Sequence, residues 1–404
     1  GAIFLNQTLQ IDTARTTIAD VMKRSGYSTA IVGKWHLGFR TDEKMDWNKE
    51  LAPGPLELGF DYYFGVPILN SHPPFVYVEN HHVVGYDPND PFVRGKRAET
   101  EEFDEKFGIN SIGGATAAHR LYKDRAVATT LKDRAVQWIK EHKDSPFFLY
   151  YATTNIHHPF TPAERFVGTS EAGPYGDSIH ELDWVVGEIM RTLDEEGLAG
   201  NTLLIFTSDN GGMLNHGGQR AWKAGHHING KLLGFKFGAW EGGHRIPMIV
   251  RWPGIVAPQT QCDHYLMIED FFPTILEMAG VDNYTTVQQR DGISFMPLLT
   301  GKGKMKDRDI YWHYPNSWGP SGPGIGATCS IRSGEWKLVY YFGDGRRELF
   351  NIPADISEKH DMAREKPEVV KELSRKLSNY LRSVDAQRPL LRATRQPAPW
   401  PDEI

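Results

Sequence analysis

Cysteine is nearly absent. Cys262 and Cys329 are the only two in 404 residues, too few for a disulfide framework and too widely separated for a zinc pair. The expected state is a pair of buried, inert thiols, with one disulfide left open. No apolar run reaches the ~18 residues needed to cross a bilayer, and the amino terminus has no charged-then-apolar targeting pattern. An excess of one charge is missing too: 45 Lys and Arg stand against 51 Asp and Glu, for a net charge of -6. Without a basic face the chain is not expected to bind nucleic acid. The short acidic cluster from Glu99 to Glu105 reads as a solvated loop. Phosphate-cradling glycine loops of the Walker or dinucleotide type do not occur, nor does a Gly-x-Ser-x-Gly elbow.

What is present is a globular composition, 40% hydrophobic and 24% charged, long enough to bury a large core. Ile18, Val21 and Met22 follow a Thr17-to-Asp20 capping pair and precede Gly26, which predicts a helix. Tyr27 to Val32 then reads as a strand. A helical pattern from Ala126 to His142 leads into the apolar run Pro146 to Tyr151. Ile179, Leu182, Val186, Ile189 and Leu193 form a core-facing helix stripe, followed by the buried strand Leu203 to Phe206. Ile246 to Trp252 adds a strand and Ile268 to Ala279 a helix. Such alternation predicts an α/β fold, a mostly parallel sheet sandwiched by helices. After Gly301 to Lys304 the pattern changes. Ile310 to Tyr314, Ala327 to Ile331, Trp336 to Phe342 and Glu348 to Phe350 read as an antiparallel meander, with a helix from about Glu368 to Leu381 and a Pro-rich end wrapping the surface. The expected division is a catalytic domain over residues 1–302 and a small α+β subdomain over 303–404.

The candidate chemistry stands just after the strands. Asp209 and Asn210 close the run Leu203 to Ser208, at the carboxyl end where α/β sheets bind ligands. A carboxylate beside an amide oxygen suits a hard cation, although an Asp-Asn-Gly turn needs no ligand. Lys34 and His36, in Gly33-Lys34-Trp35-His36-Leu37-Gly38, point the same way if the loop is extended. The same hexapeptide also reads as a surface lysine beside a packed histidine. His157 and His158 follow the strand ending near Tyr151 and, being adjacent, are expected to point apart, one of them toward a shared site. Lys236 sits in a glycine-rich stretch where Arg245 can pair with Glu241 or a neighbour. Two oxygen ligands, two lysines and one or two histidines suit hydrolysis of a compact anionic ester, a sulfate or a phosphate.

These residues resemble the type I sulfatases of the alkaline-phosphatase-like superfamily, among them arylsulfatases and N-acetylgalactosamine-6-sulfatase. The matching stretches run in family order: Gly33 to Gly38, Gly59-Phe60-Asp61, Thr207 to Gly211, Lys236 with Trp240-Glu241-Gly242-Gly243, Asp270 to Thr274, Asp291-Gly292 and Glu348-Leu349-Phe350. The resemblance implies an alkaline-phosphatase-like fold and sulfuric ester hydrolysis. It implies catalytic roles for Lys34, His36, His157 and Lys236, with His157 selected by the His-x-Pro spacing of His157-His158-Pro159. Asp209 and Asn210 match the family's downstream metal ligands, for Ca2+ ahead of Mg2+. Ser71, His72 and His158 fall on the substrate side. By the same resemblance the protein is periplasmic, secreted or lysosomal. Its substrate is a small-molecule or carbohydrate sulfate ester, for which Trp312, His313, Tyr314 and Trp318 offer rings able to stack on sugars.

One departure stands against these matches. The family opens with a strand bearing paired aspartates and a Cys- or Ser-x-Pro-Ser-Arg motif whose first residue becomes formylglycine. Neither occurs here, and Cys329-Ser330-Ile331-Arg332 lacks the proline. The expectation is a parent protein that carries formylglycine and a chain that alone is nearly inactive and leaves apolar sheet surface open. The alternatives are a phosphodiesterase or phosphonate hydrolase of the same superfamily, and a non-catalytic binding protein on a sulfatase scaffold.

Overall fold

Thr17 and Asp20 make the reciprocal capping box that starts the first helix, α1 (Ile18–Arg24). In the computed structural model, which describes residues 8–42, 44–69, 71–98, 111–214, 217–316 and 322–404, two compact units are resolved. The acidic cluster Glu99 to Glu105 and Trp318 lie outside the described residues. One unit comprises residues 1–204 and 251–305, the other residues 205–250 and 306–404.

The first unit is built on β1 (Ser28–Lys34), β2 (Tyr62–Val66), β3 (Val78–Glu79), β4 (His82–Val83) and, later in the chain, β7 (Phe147–Ala152), in the order β4-β3-β2-β1-β7. β1 pairs in parallel with β2 and β7. β3 and β4 return antiparallel through the Asn80-His81 turn, because a connection this short cannot make a parallel crossover. β5 (Val93–Arg94), β6 (Ile112–Gly113) and α2 (Thr116–Leu121) follow. The two faces of β1 enter different cores, as expected for a central parallel strand. Val32 packs with α3 (Val127–Glu141) and α4 (Pro174–Glu195) through Leu131, Ala135, Ile139, Ile189 and Leu193. Ile31 packs with Ala19, Trp35, Phe39, Tyr63 and Ala118. α7 (Phe271–Met278) adds Leu276 against Val21 and Met22, and α8 (Met296–Thr300) follows.

Two details depart from the sequence pattern. On α4 the buried residues include Asp177, Glu181, Val185, Ile189, Thr192 and Leu193, whereas Ile179, Leu182 and Val186 are only partly covered. The helix turns polar groups inward at its first two turns because loop backbone, not an apolar core, covers them. β7 is the edge of its sheet, and its Tyr150 is 54% exposed. Phe147, Phe148, Leu149 and Tyr151 are half-buried, unlike the fully covered centre of β1, so apolar strand surface is open there.

In the second unit β8 (Leu204–Thr207) and β9 (Met248–Arg251) form a two-stranded sheet, flanked in sequence by α5 (Gly217–Lys223) and α6 (Glu241–His244). β10 (Ile310–Tyr314), β11 (Thr328–Ser333), β12 (Trp336–Tyr341) and β13 (Arg347–Asn351) form the expected antiparallel meander. α9 (Pro367–Ser383) covers one face through Leu373, Leu377 and Leu381. The Pro-rich end does more than wrap the surface: Ala398 and Trp400 are buried in that core. Ala239 and Trp240 pack on the other side with Val339, Tyr341 and Phe350, which ties the 205–250 stretch to the meander. Both cysteines are free thiols. Cys329 is buried, its thiol pushed up by burial, but Cys262 is exposed rather than buried.

Candidate active site

At the end of β1 the ladder with β2 continues beyond Lys34. Trp35 N donates to Val66 O at 3.1 Å and His36 N to Pro67 O at 2.9 Å. Trp35 is the anchor between the two candidates: its ring is buried against Phe39 and Tyr63, and its Nε1 donates to Gly38 O at 2.6 Å. The loop is not simply extended, because His36 takes the left-handed region at φ 57°, a conformation that non-glycine residues hold only where the surroundings impose it. Gly33 just before is a requirement of packing. A Cβ there would stand 1.8 Å from Ala152 O of β7.

Gly33 pairs with Gly65 and Ala152, so three parallel strands end together and their following loops share one edge. Two of these loops carry the other candidates. Ser71 is buried and its Oγ lies 2.7 Å from His72 Nδ1. After β7, the His157 and His158 rings do not point apart; they stack with centroids 4.5 Å apart. The chain bends back on itself here, and His157 Nδ1 lies 2.6 Å from His158 O. A carbonyl can only accept, so Nδ1 carries the proton and the neutral ring presents Nε2 as its basic nitrogen. Lys34, His36, Ser71, His72, His157 and His158 are thus brought to one sheet edge of the first unit.

In the second unit Asp209 is exposed and Asn210 half-buried at the end of β8. Ser208 Oγ donates to Asn210 O at 3.1 Å, and Asn210 Nδ2 to Gly211 O at 2.9 Å. That leaves the amide oxygen of Asn210 turned away from this contact. Lys236 is held to the same loop, since its N donates to Gly212 O at 2.9 Å. Asn229 bridges both stretches, accepting from Gly212 N at 2.8 Å and donating to Gly234 O at 2.9 Å. Gly211 N donates to Gly243 O at 3.0 Å, and a Cβ on Gly211 would stand 1.8 Å from Gly242 O. Direct backbone approach is why the sequence here is so rich in glycine. Phe237, at φ 77°, bends the chain immediately after Lys236.

Beneath these loops lies a buried charge cluster. Lys337 Nζ donates to Glu241 Oε1 at 2.9 Å and lies 2.9 Å from Glu358 Oε1, out of line for a hydrogen bond. Glu358 Oε2 accepts from Glu241 N at 2.6 Å. Burial pulls the Glu241 carboxyl up, but His244 and Lys337 outweigh it and hold it well below the usual carboxylate range. Burial pushes Glu358 up. Burial, reinforced by the Lys337 charge, lowers His244 to about 4. The Arg245 pairing with Glu241 is present at 3.4 Å but is the outer contact of the cluster. Trp312 is a strand residue whose ring faces His244 at 4.4 Å, and His313 Nε2 donates to Gln387 O at 2.7 Å. Both rings are committed to packing.

Asp209 and Asn210 supply oxygen donors of the right chemistry for a hard cation, but Ca2+ takes 6–8 such ligands. Among the described residues no group of three or more His, Cys, Asp or Glu side chains is arranged to hold a metal. The donor set fits part of a coordination shell and no more. Glu181, Asn229, Lys337 and Glu358 were not legible as site supports, because their partners are distant in sequence and no local pattern marks them.

Residues 5–281 match the Sulfatase family model, and residues 236–387 match the model for the C-terminal part of N-sulphoglucosamine sulphohydrolase. The chain belongs to the sulfatase family. This sulfatase chain is 36% identical to N-acetylgalactosamine-6-O-sulfatase of Bacteroides thetaiotaomicron, over 93% of its own length and 78% of that protein's. It is 31% identical to the N-acetylgalactosamine-6-sulfatase of Mus musculus, over 89% and 69%. A solved structure from work on glycosaminoglycan metabolism by Bacteroides thetaiotaomicron superposes with TM-score 0.80 at 34% identity, covering 94% of this chain and 84% of that one. The phosphonate monoester hydrolase of Agrobacterium radiobacter, at 17% identity and TM-score 0.55, shares the fold alone. The reaction class is sulfuric ester hydrolysis, and the phosphoester and non-catalytic alternatives are not favoured. No helix among the described residues is long and apolar enough to cross a membrane.

Proposed function

We propose that this sulfatase chain recognises a 6-O-sulfated N-acetylgalactosamine unit of a sulfated glycan. The observation that carries the reading is the 36% identity over 93% of the chain to an N-acetylgalactosamine-6-O-sulfatase. Lys34 and Lys236 supply positive charge for the sulfate oxygens, where a fixed cation strengthens as charge develops. His157, with its proton held on Nδ1, offers Nε2 as the group that takes or returns a proton. His36 stands beside Lys34 on the same strand end. Ser71, His72 and His158 face the sugar side. Asp209 and Asn210 would hold part of the shell of a Ca2+ ion, which would supply Lewis-acid charge at the sulfate. The Cys- or Ser-x-Pro-Ser-Arg motif that gives the family its nucleophile does not occur in this chain. The family resemblance supports an exported or lysosomal setting.

Titration of the 404-residue chain with N-acetylgalactosamine 6-sulfate, the 4-sulfate, the 6-phosphate and the unsulfated sugar, followed by NMR, tests the reading. The expected order places the 6-sulfate first and the unsulfated sugar last. Equal affinity for the sulfated and unsulfated sugars would overturn it.

A further inference from the structure

Asp177 and Glu181 stand one turn apart on α4, each 3% exposed. Their carboxylates accept from loop backbone and from the Asn155 side-chain amide. Asp177 accepts from Gly168 N at 2.9 Å and Ser170 N at 2.8 Å. Glu181 accepts from Ala163 N at 3.0 Å through Oε1 and from Asn155 Nδ2 at 2.9 Å through Oε2. Those two partners bracket the segment that carries His157 and His158. The amide of Asn155 has one workable orientation, because turning it over would set its oxygen against a carboxylate oxygen. Its Oδ1 is consequently buried with no hydrogen-bond partner, and the Glu181 contact is what holds it there. Further along, Arg125 Nη1 donates to Pro162 O at 2.9 Å, a second support beside the Ala163 contact.

We propose that Glu181 is the positioning residue of the histidine loop, its carboxylate closing the two ends of residues 155–163 and thereby fixing where the His157 imidazole stands and which nitrogen carries its proton. The inference rests on the proposed function only for the use made of His157. The contact itself requires a group that accepts twice. A carboxylate does so; glutamine keeps both contacts only if the Asn155 amide turns over to accept from it, whereas alanine removes both acceptors.

The test is imidazole 1H–15N correlation NMR on the labelled 404-residue chain, at a pH where His157 is neutral and with His157→Gln to assign its signals. In the unsubstituted chain the two ring nitrogens of His157 should be widely separated, as for a single tautomer protonated on Nδ1. In Glu181→Ala they should lose that separation and move toward the average of two tautomers, while the histidine signals outside the His157–His158 stack stay in place. A purely structural contribution lowers the melting temperature and leaves the His157 tautomer unchanged, and that result in a folded Glu181→Ala chain overturns the proposal. Should Glu181→Ala fail to fold, Asn155→Ala removes the Oε2 contact from the loop side. Partial loss of the separation supports the proposal, and an unchanged His157 pattern refutes it. The sugar titration is read separately, so loss of sulfate preference with the tautomer change intact refutes the proposed function and not this one.

Discussion

Lys337 Nζ meets Glu241 Oε1 at 2.9 Å in a place where the Lys337 side chain is fully buried and that of Glu241 is 4% exposed. This contact joins β12 to the first residue of α6, the helix whose glycines touch the Asp209 loop. Removing one partner of a buried pair leaves an uncompensated charge, at a cost of about 3–5 kcal/mol. Lys337→Met is therefore expected to destabilise the chain by roughly that amount in urea unfolding followed by circular dichroism. A midpoint equal to that of the parent chain would mean that the pair is not a support.

His244 gives the same cluster a pH dependence. Burial and the neighbouring Lys337 lower it to about 4, whereas an unfolded histidine titrates near 6.5. The unfolded state thus binds the proton first as pH falls. The stability that neutral His244 contributes is present above about pH 6.5 and is lost as pH falls toward 4, up to about 3 kcal/mol. His244→Gln should flatten this part of the stability profile. Urea midpoints at pH 7 and pH 4.5 for both chains decide it, and an equal drop in both assigns the acid loss to other groups.

The close approach at Gly211 predicts a local failure. A Cβ there would lie 1.8 Å from Gly242 O, a backbone atom that cannot rotate away. Gly211→Ala should destabilise by about 2 kcal/mol or more, and it should speed hydrogen exchange at Lys236 N, whose acceptor is Gly212 O. Unchanged exchange at Lys236 would show that the two loops are not coupled through these glycines.

What could be read from the sequence follows from the range of each interaction. The β1 and β8 regions were visible as apolar runs ending in Lys34 and in Asp209-Asn210, since strand ends are marked by local composition. Thr17 with Asp20 marked the start of α1 for the same reason. The supports were hidden. On α4 the apolar spacing pointed to Ile179 and Leu182, while Asp177 and Glu181 are buried, held inward by loop backbone up to 18 positions away and by the Asn155 side chain 26 positions away. Lys337 sits in an alternating strand pattern, and its partner Glu241 is 96 positions earlier. The stacking of His157 on His158 also escaped a rule based on extended chain, because the loop folds back and His157 Nδ1 bonds the next carbonyl.

Two donors predict weak cation binding. Asp209 and Asn210 supply a carboxylate and an amide oxygen, against the 6–8 oxygens a Ca2+ shell takes, and no third acidic or imidazole group joins them among the described residues. Calorimetry on the 404-residue chain should give a dissociation constant in the millimolar range or weaker, abolished by Asp209→Ala. Micromolar binding would demand ligands beyond this pair.

Catalysis by this chain is limited by a different shortage. Lysines and histidines can hold a sulfate, polarise it and shuttle a proton, but displacement at sulfur also needs an attacking group of adequate nucleophilicity, commonly an activated side chain. The sequence has no Cys- or Ser-x-Pro-Ser-Arg motif; Cys329 is buried with its thiol pushed up, and Cys262 is a solvent-exposed surface thiol. The purified 404-residue chain should therefore bind sulfated sugar yet release no sulfate from an aryl sulfate above the uncatalysed background. Lys236→Ala should weaken that binding by about tenfold, the loss of one charge-assisted contact of about 1.4 kcal/mol. Sulfate release at a sulfatase's rate, surviving in a variant lacking both cysteines, would show that another residue of this chain supplies the nucleophile.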